Sequence, residues 1–86
     1  MTVSSPIRVR VLLFARYAEL FGQAALDLKL PEGATVADAV HRLRQLPGGE
    51  RLPSRPLVAR ALAQVSLEEL VQAGDELALL PPMSGG

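Results

Sequence analysis

The sequence predicts an α+β domain, with a mixed sheet of four to five strands and one main helix across one face. Three observations indicate this fold class. Alternating apolar residues mark separate strands near both ends of the chain. A single amphipathic stripe of helical period lies between them. The 86 residues, 49% of them hydrophobic, fit one domain with one core.

The first strand is expected from Ile7 to Phe14, where apolar residues alternate with arginines before the segment becomes fully apolar. A short helix is predicted from Ala15 to Phe21, because Tyr17 and Leu20 share a face at helical spacing. Gly22 is well placed to end this helix, since glycine readily adopts the left-handed conformation of a C-terminal cap.

The second strand is predicted from Leu26 to Leu30, where every other residue is leucine. A turn at Pro31-Glu32-Gly33 ends it. The main helix is expected from Val36 to Leu46, with an apolar stripe at helical spacing. Thr35 is its expected N-cap, and Asp38 lies three residues later, near the positive end of the helix dipole.

The second half of the chain is expected to begin with a surface loop from Glu50 to Pro56. Leu57 to Val65 is apolar enough to predict a central strand. Leu67 to Leu70 is interpreted as one helical turn capped by Ser66, and Glu76 to Leu80 as the last strand. The first and last strands are expected to lie side by side in the centre of the sheet. This order of elements is that of the β-grasp fold.

We therefore expect a loose N-terminus at residues 1–6, a single domain at 7–80 and a functional tail at 81–86. Nine basic residues balance nine acidic ones, which gives no general attraction to nucleic acid or anionic membranes. The absence of cysteine excludes disulfides and a cysteine nucleophile. No apolar run approaches the roughly 20 residues of a membrane span, and a cytoplasmic location is expected.

The tail is the most unusual segment. It consists of Pro81, Pro82, Met83, Ser84, Gly85 and Gly86. The prolines favour an extended exit from the sheet, and a Gly-Gly end can enter a channel that would exclude a Cβ. A terminal carboxylate on Gly86 becomes an electrophile only after activation, for instance as an acyl-adenylate. A frayed chain end is the alternative interpretation.

Three segments carry a resemblance to a known family. They are Val9-Arg10-Val11-Leu12-Leu13-Phe14-Ala15, Leu30-Pro31-Glu32-Gly33-Ala34-Thr35-Val36 and Gly74 to Gly86 with its Pro-Pro-x-Ser-Gly-Gly ending. Together they resemble the molybdopterin synthase small subunit, of the ubiquitin-like β-grasp sulfur carriers that also include the thiamine-pathway carrier. The chain departs from that family at Arg60-Ala61-Leu62, where an Asn is usual, and at Gln64 to Gln72.

The resemblance implies that an E1-like adenylyltransferase uses ATP to activate Gly86, and that a sulfur donor protein converts it to a thiocarboxylate. The loaded tail would enter the large molybdopterin synthase subunit, in a heterotetramer, and give sulfur to cyclic pyranopterin monophosphate. Gly85 would provide clearance, Met83 and Ser84 would line the channel, and Pro81 and Pro82 would set the direction. The chain itself would bind no metal or cofactor and supply no catalytic residue.

Three alternatives remain open: a sulfur carrier for thiamine or tRNA thiolation, a ubiquitin-like modifier attached to lysines, and a binding module with an irrelevant tail. An exposed apolar sheet face around Leu62, Ala78 and Leu80 is a further hypothesis, as a surface for the partners. The lone His41 and the Glu68-Glu69 pair are interpreted as surface residues, Asp75-Glu76 as turn chemistry, and Gly48-Gly49 as a helix stop rather than a phosphate loop.

Overall fold

The computed structural model describes residues 6–81. Its elements follow in the predicted order with one additional strand. They are β1 (Ile7–Leu13), α1 (Arg16–Phe21), β2 (Ala25–Leu30), α2 (Val36–Arg44), a 3₁₀ turn (Gly49–Arg51), β3 (Leu57–Arg60), β4 (Ala63–Val65) and β5 (Glu76–Leu80).

The five strands form one mixed sheet in the order β2-β1-β5-β3-β4. The first and last strands pair in parallel at its centre, with Val11 opposite Leu77 and Leu13 opposite Leu79. All other neighbours are antiparallel. The prediction that the two terminal strands lie side by side is confirmed, and the fold is an α+β β-grasp.

Helix α2 begins with a reciprocal capping box. The Thr35 hydroxyl accepts a hydrogen bond from the Asp38 N–H at 3.2 Å, and the Asp38 carboxylate accepts one from the Thr35 N–H at 2.8 Å. This arrangement satisfies two backbone donors that a helix start otherwise leaves unpaired. The predicted N-cap is therefore confirmed, whereas the helix ends at Arg44 instead of Leu46.

The core lies between α2 and one face of the sheet. It is almost entirely aliphatic, and alternate residues of β1, β2 and β5 pack against the apolar stripe of α2. Among residues 6–81, Tyr17 is the one buried residue with a polar side-chain atom, and its ring belongs to the core. The fully enclosed members include Val9, Val11, Val36, Leu43, Val58, Leu77 and Leu79. This packing leaves the opposite face of the sheet without a helix to cover it.

The predicted central strand from Leu57 to Val65 is wrong, because this segment is a hairpin. Strand β3 pairs with β5 only as far as Arg60 opposite Leu77. Strand β5 begins at Glu76, one residue beyond that pair. The chain reverses at residues 61–62, and β4 pairs with β3. Strand β4 pairs with the edge of β3 that faces away from β5, so β3 is hydrogen-bonded on both sides.

The helical turn predicted at Leu67 to Leu70 is a single hydrogen-bonded turn that does not continue as a helix, since the Glu69 N–H donates to the Ser66 carbonyl oxygen at 3.1 Å. The carbonyl oxygens of Leu67 and Glu69 accept hydrogen bonds from the first two N–H groups of α2, each at 2.8 Å. These carbonyl groups therefore pair with the start of α2 and do not form hydrogen bonds within a helix of their own. Ser66 does act as a local cap, because its hydroxyl accepts a hydrogen bond from the Glu68 N–H at 3.0 Å.

The segment predicted as a surface loop from Glu50 to Pro56 is held to the body at Leu52. This side chain is 2% exposed, and its carbonyl oxygen accepts a hydrogen bond from the Arg44 side chain at 3.0 Å. The preceding glycines allow the close approach, since a Cβ on Gly48 would overlap the carbonyl oxygen of Leu20 and one on Gly49 that of Leu43. The Gly48-Gly49 pair is therefore a packing element.

Candidate functional site

The predicted tail begins at Pro81, directly after the central strand β5. The last ladder pair joins Leu80 to Leu57, and Pro81 cannot donate a further backbone hydrogen bond. The remaining tail residues predicted to act, namely Pro82, Met83, Ser84, Gly85 and the attachment residue Gly86, lie outside the described residues. The candidate site is therefore the surface around the point where the tail leaves the sheet.

An apolar groove lies on the uncovered face of the sheet beside this point. It has a volume of 450 Å³ and one charged lining residue, Glu76. Its other lining residues are apolar: Leu12, Phe14, Ala59, Ala61, Leu62, Ala78 and Leu80. Strand alternation produces it, because Leu12 and Ala78 are opposite each other in the ladder while their neighbours face the core. The structure thus brings together Leu62, Ala78 and Leu80, the three residues of the predicted apolar face.

Two large side chains of the groove are notably exposed. Phe14 is 46% accessible and Leu62 is 103% accessible, so Leu62 contributes nothing to the core. Leu62 lies in the two-residue turn between β3 and β4, where both Ala61 and Leu62 have positive φ angles, of 54° and 69°. An exposed apolar surface of this kind is typical of a protein–protein contact.

The uncovered sheet face is charged at its other end. Arg10 lies opposite Asp27 on one side and Glu76 on the other, and Arg8 lies opposite Lys29. The face is therefore divided into an apolar half, next to Pro81, and a polar half far from it.

A larger depression of 570 Å³ lies between the end of β2 and helix α2, beside Lys29, Asp38 and His41. Neither β5 nor Pro81 contributes to it. His41 is exposed there, with its Nε2 atom 3.2 Å from the Gln45 amide nitrogen. We consider the apolar groove the better candidate site because it adjoins the tail.

The carboxylates of Glu68, Glu69 and Asp75 are engaged in structural contacts. Within the described residues no group of three or more His, Cys, Asp or Glu could hold a metal ion. A hydrogen bond from the Ser66 hydroxyl holds the pKa of the exposed Glu68 carboxylate below its usual value. The Asp75 carboxylate accepts a hydrogen bond from the Gln72 N–H at 2.8 Å, which confirms the prediction of turn chemistry there.

Sequence reasoning missed the role of Arg60, which fastens the loop after β4. Its guanidinium donates hydrogen bonds to Glu69 Oε2 at 2.9 Å, to Asp75 Oδ2 at 3.1 Å and to the Leu70 carbonyl at 3.0 Å. The two carboxylates come from residues 9 and 15 positions later in the chain. No local pattern indicates such a contact, because it arises only when β3 pairs with β5.

The buried hydroxyl of Tyr17 is an unusual feature of the core. The Tyr17 side chain is 3% exposed, and its hydroxyl has no hydrogen-bond partner among residues 6–81. Burial raises the pKa of this hydroxyl above its usual value, and the charge of Arg16 opposes the effect. In the part of the chain that the structure describes, no helix has the length and apolar character needed to cross a membrane.

Comparison with known proteins gives a consistent result. The model of the ThiS family matches residues 11–86, a range that includes the final Gly-Gly. The molybdopterin synthase sulfur carrier subunit of Arabidopsis thaliana is 38% identical over 84 residues, which cover 96% of this chain and 88% of that protein.

Solved structures share the fold. The crystal structure of SAMP1 from Haloferax volcanii superimposes with a TM-score of 0.78 at 33% identity, and the match covers 92% of this chain and 99% of that one. A chain from the complex of subunits 1 and 2 of the molybdopterin-converting factor from Helicobacter pylori matches with a TM-score of 0.65 at 18% identity, over 93% of this chain and 100% of that one. At that identity the likeness concerns the fold alone.

Proposed function

This chain belongs to the ThiS family of ubiquitin-like sulfur carriers and is a homologue of the molybdopterin synthase small subunit. We infer that it carries sulfur on the carboxylate of Gly86. The observation that carries this proposal is the Pro-Pro-Met-Ser-Gly-Gly ending, which lies within the family match and follows the central strand β5 directly. We propose no catalytic role for the folded domain.

The proposed cycle has three steps. An E1-like enzyme transfers AMP from ATP to the Gly86 carboxylate and releases pyrophosphate. A persulfide on a donor protein then displaces AMP and forms an acyl disulfide, and a thiol reductant cleaves the sulfur–sulfur bond to leave a thiocarboxylate on Gly86. In the large molybdopterin synthase subunit this sulfur passes to cyclic pyranopterin monophosphate, towards the dithiolene that holds molybdenum. Any general acid or base for these steps comes from the partners, because the tail contains no titratable side chain.

Chain length links the tail to the apolar groove. The five residues after Pro81 reach at most about 18 Å when fully extended. An enzyme whose active site holds Gly86 must therefore place its surface within that distance of Pro81, where the groove begins. We propose that this groove is the contact surface for the partners, with Pro81 and Pro82 directing the tail and Met83, Ser84 and Gly85 within the partner's channel.

The test of sulfur loading is an intact-mass measurement. The chain ending at Gly86 is incubated with ATP, a sulfur source and an extract of its host. We expect a mass increase equal to the difference between one sulfur and one oxygen atom, localised to Gly86 by fragmentation. A variant lacking Gly85 and Gly86 is the control and should gain nothing. An unchanged mass, in an extract that loads a known carrier, would refute the proposal.

The groove is tested separately. We expect Ala78→Asp to abolish complex formation with the large subunit, because a buried unpaired carboxylate opposes binding. Ala37→Asp is the matched control, because it makes the same exchange at an exposed position of α2, on the other side of the sheet. Both variants should keep the circular dichroism spectrum of the parent. If Ala78→Asp still co-elutes with the large subunit, the groove is not the contact surface.

A second function is favoured by the similarity to small archaeal modifier protein 1 of Haloferax volcanii, which is 36% identical over 83 residues. An activated Gly86 could react with a lysine amine and release AMP, which forms an isopeptide bond. Gel analysis of an epitope-tagged chain after incubation with extract and ATP separates the two functions. A ladder of conjugates supports a modifier, whereas sulfur transfer to the pterin precursor, to a thiazole precursor or to tRNA identifies the acceptor of a carrier.

A further inference from the structure

The turn between β3 and β4 is built from residues that do not favour its conformation. Arg60 pairs with Ala63, so Ala61 and Leu62 alone form the loop, with φ angles of 54° and 69°. Two-residue hairpin loops with two positive φ angles normally use Asn-Gly, because a Cβ makes this conformation unfavourable. The turn therefore carries backbone strain at both positions.

Burial does not compensate for this strain. The Leu62 side chain is 103% accessible, so it is as open to water as an isolated residue. A glycine in its place would remove both the strain and the exposed apolar surface. Leu62 thus lowers the stability of the folded domain through its backbone strain, and its exposed side chain gives no hydrophobic stabilisation in return. Strained residues that the fold does not require are typical of binding sites.

The position of Leu62 indicates what it binds. The side chain lines the apolar groove together with Phe14 and Leu80, and Leu80 adjoins Pro81, the start of the tail. A protein that takes up Gly86 must approach to within the reach of the tail, about 18 Å from Pro81. Such a protein would cover the groove and bury Leu62, which then gains the hydrophobic stabilisation that the free domain lacks.

We propose that Leu62 is an anchor residue for the ATP-dependent activating enzyme, and that it inserts into an apolar pocket on that enzyme beside the channel for the tail. This inference rests on the proposed activation of Gly86. The activating enzyme is the expected occupant because every fate considered for the carboxylate, whether sulfur transfer or conjugation, requires activation first. Leu62 acts on binding and not on the chemical step, since its side chain has no acid, base or nucleophile.

The test compares two matched glycine variants in the whole chain. Leu62→Gly removes the anchor and relaxes the turn, whereas Ala61→Gly relaxes the same turn and keeps the anchor. Both are expected to unfold at the same temperature as the parent or higher, because glycine adopts positive φ freely. Activation is measured as ATP–pyrophosphate exchange by the purified activating enzyme, as a function of carrier concentration.

We expect Leu62→Gly to raise the KM for the carrier by about tenfold or more, with kcat unchanged, as for the loss of a hot-spot side chain. Ala61→Gly removes only one methyl group from the groove wall and should raise the KM by less than about twofold. Equal KM values for Leu62→Gly and the parent, or an equal rise in both variants, would overturn the role of Leu62. The absence of any exchange with the parent chain is a different result, since it would refute the proposed function itself.

Discussion

Removal of the Tyr17 hydroxyl should stabilise this protein. The ring is 3% exposed and keeps its packing in Tyr17→Phe, so the two proteins differ only in a buried hydroxyl without a partner among residues 6–81. Burial of such a group costs about 1–3 kcal/mol. We expect the variant to gain about 1 kcal/mol in free energy of unfolding, because the lost oxygen leaves a small void. For a domain of this size the melting temperature would rise by roughly 4–8 °C.

The pH dependence provides an independent check. Burial raises the pKa of Tyr17 in the folded state above its usual value of about 10, so the fold favours the neutral hydroxyl. The part of the free energy of unfolding that depends on a protonated Tyr17 is fully present below about pH 10. It is lost as the pH rises through the folded-state pKa. The phenylalanine variant has no such loss, so its advantage over the parent should increase above pH 10.

Two measurements decide the matter. Denaturant unfolding at neutral and alkaline pH gives the difference in stability between the two proteins. Phenolate absorbance in the folded state gives the pKa directly, because Tyr17 is the only tyrosine and the sequence has no tryptophan. A less stable variant would show that the hydroxyl has a partner, and a phenolate that titrates at its ordinary pKa in the folded protein would show that it reaches water. Either result would refute the reasoning.

Three other predictions concern the supporting structure. Gly49→Ala should cost about 1–3 kcal/mol, measured by denaturant unfolding, because its Cβ would overlap the carbonyl oxygen of Leu43; unchanged stability would contradict the close contact. Thr35→Ala should lower stability by about 1 kcal/mol through loss of the N-cap, while Thr35→Ser retains most of it. Arg60→Gln should lower the melting temperature and reduce amide-exchange protection in residues 69–75; unchanged exchange there would exclude the fastening role.

The sequence predicted a candidate site from its tail and its apolar alternation, and the role of the tail stays a prediction because residues 82–86 lie outside the described residues. The ending from Pro81 to Gly86 is readable without a structure, because the conformational properties of proline and glycine are local. The grouping of Leu62 with Ala78 and Leu80 was predicted as a hypothesis, and the structure places all three in one groove. The strain at residue 62 was not predicted, since backbone dihedral angles depend on how the hairpin closes.

Local patterns determined the elements that have clear boundaries. Strand β1, strand β2, the Thr35 cap of α2, the Gly22 cap of α1 and strand β5 were all predicted from periodicity and capping residues. The periodicity and the capping pattern that mark each element involve residues only a few positions apart, so they can be recognised from the sequence alone.

Tertiary structure alone decided the features that depend on distant partners. The segment Leu57 to Val65 became a hairpin because β5 is short, although its turn lacks the Gly or Asn that marks such a reversal. Leu52 is buried in the core although its neighbours form a polar loop. Arg60 donates hydrogen bonds to carboxylates 9 and 15 residues away. Pairing and packing between segments remote in sequence fix these contacts, and a local propensity contains no information about a partner that only the folded chain brings near.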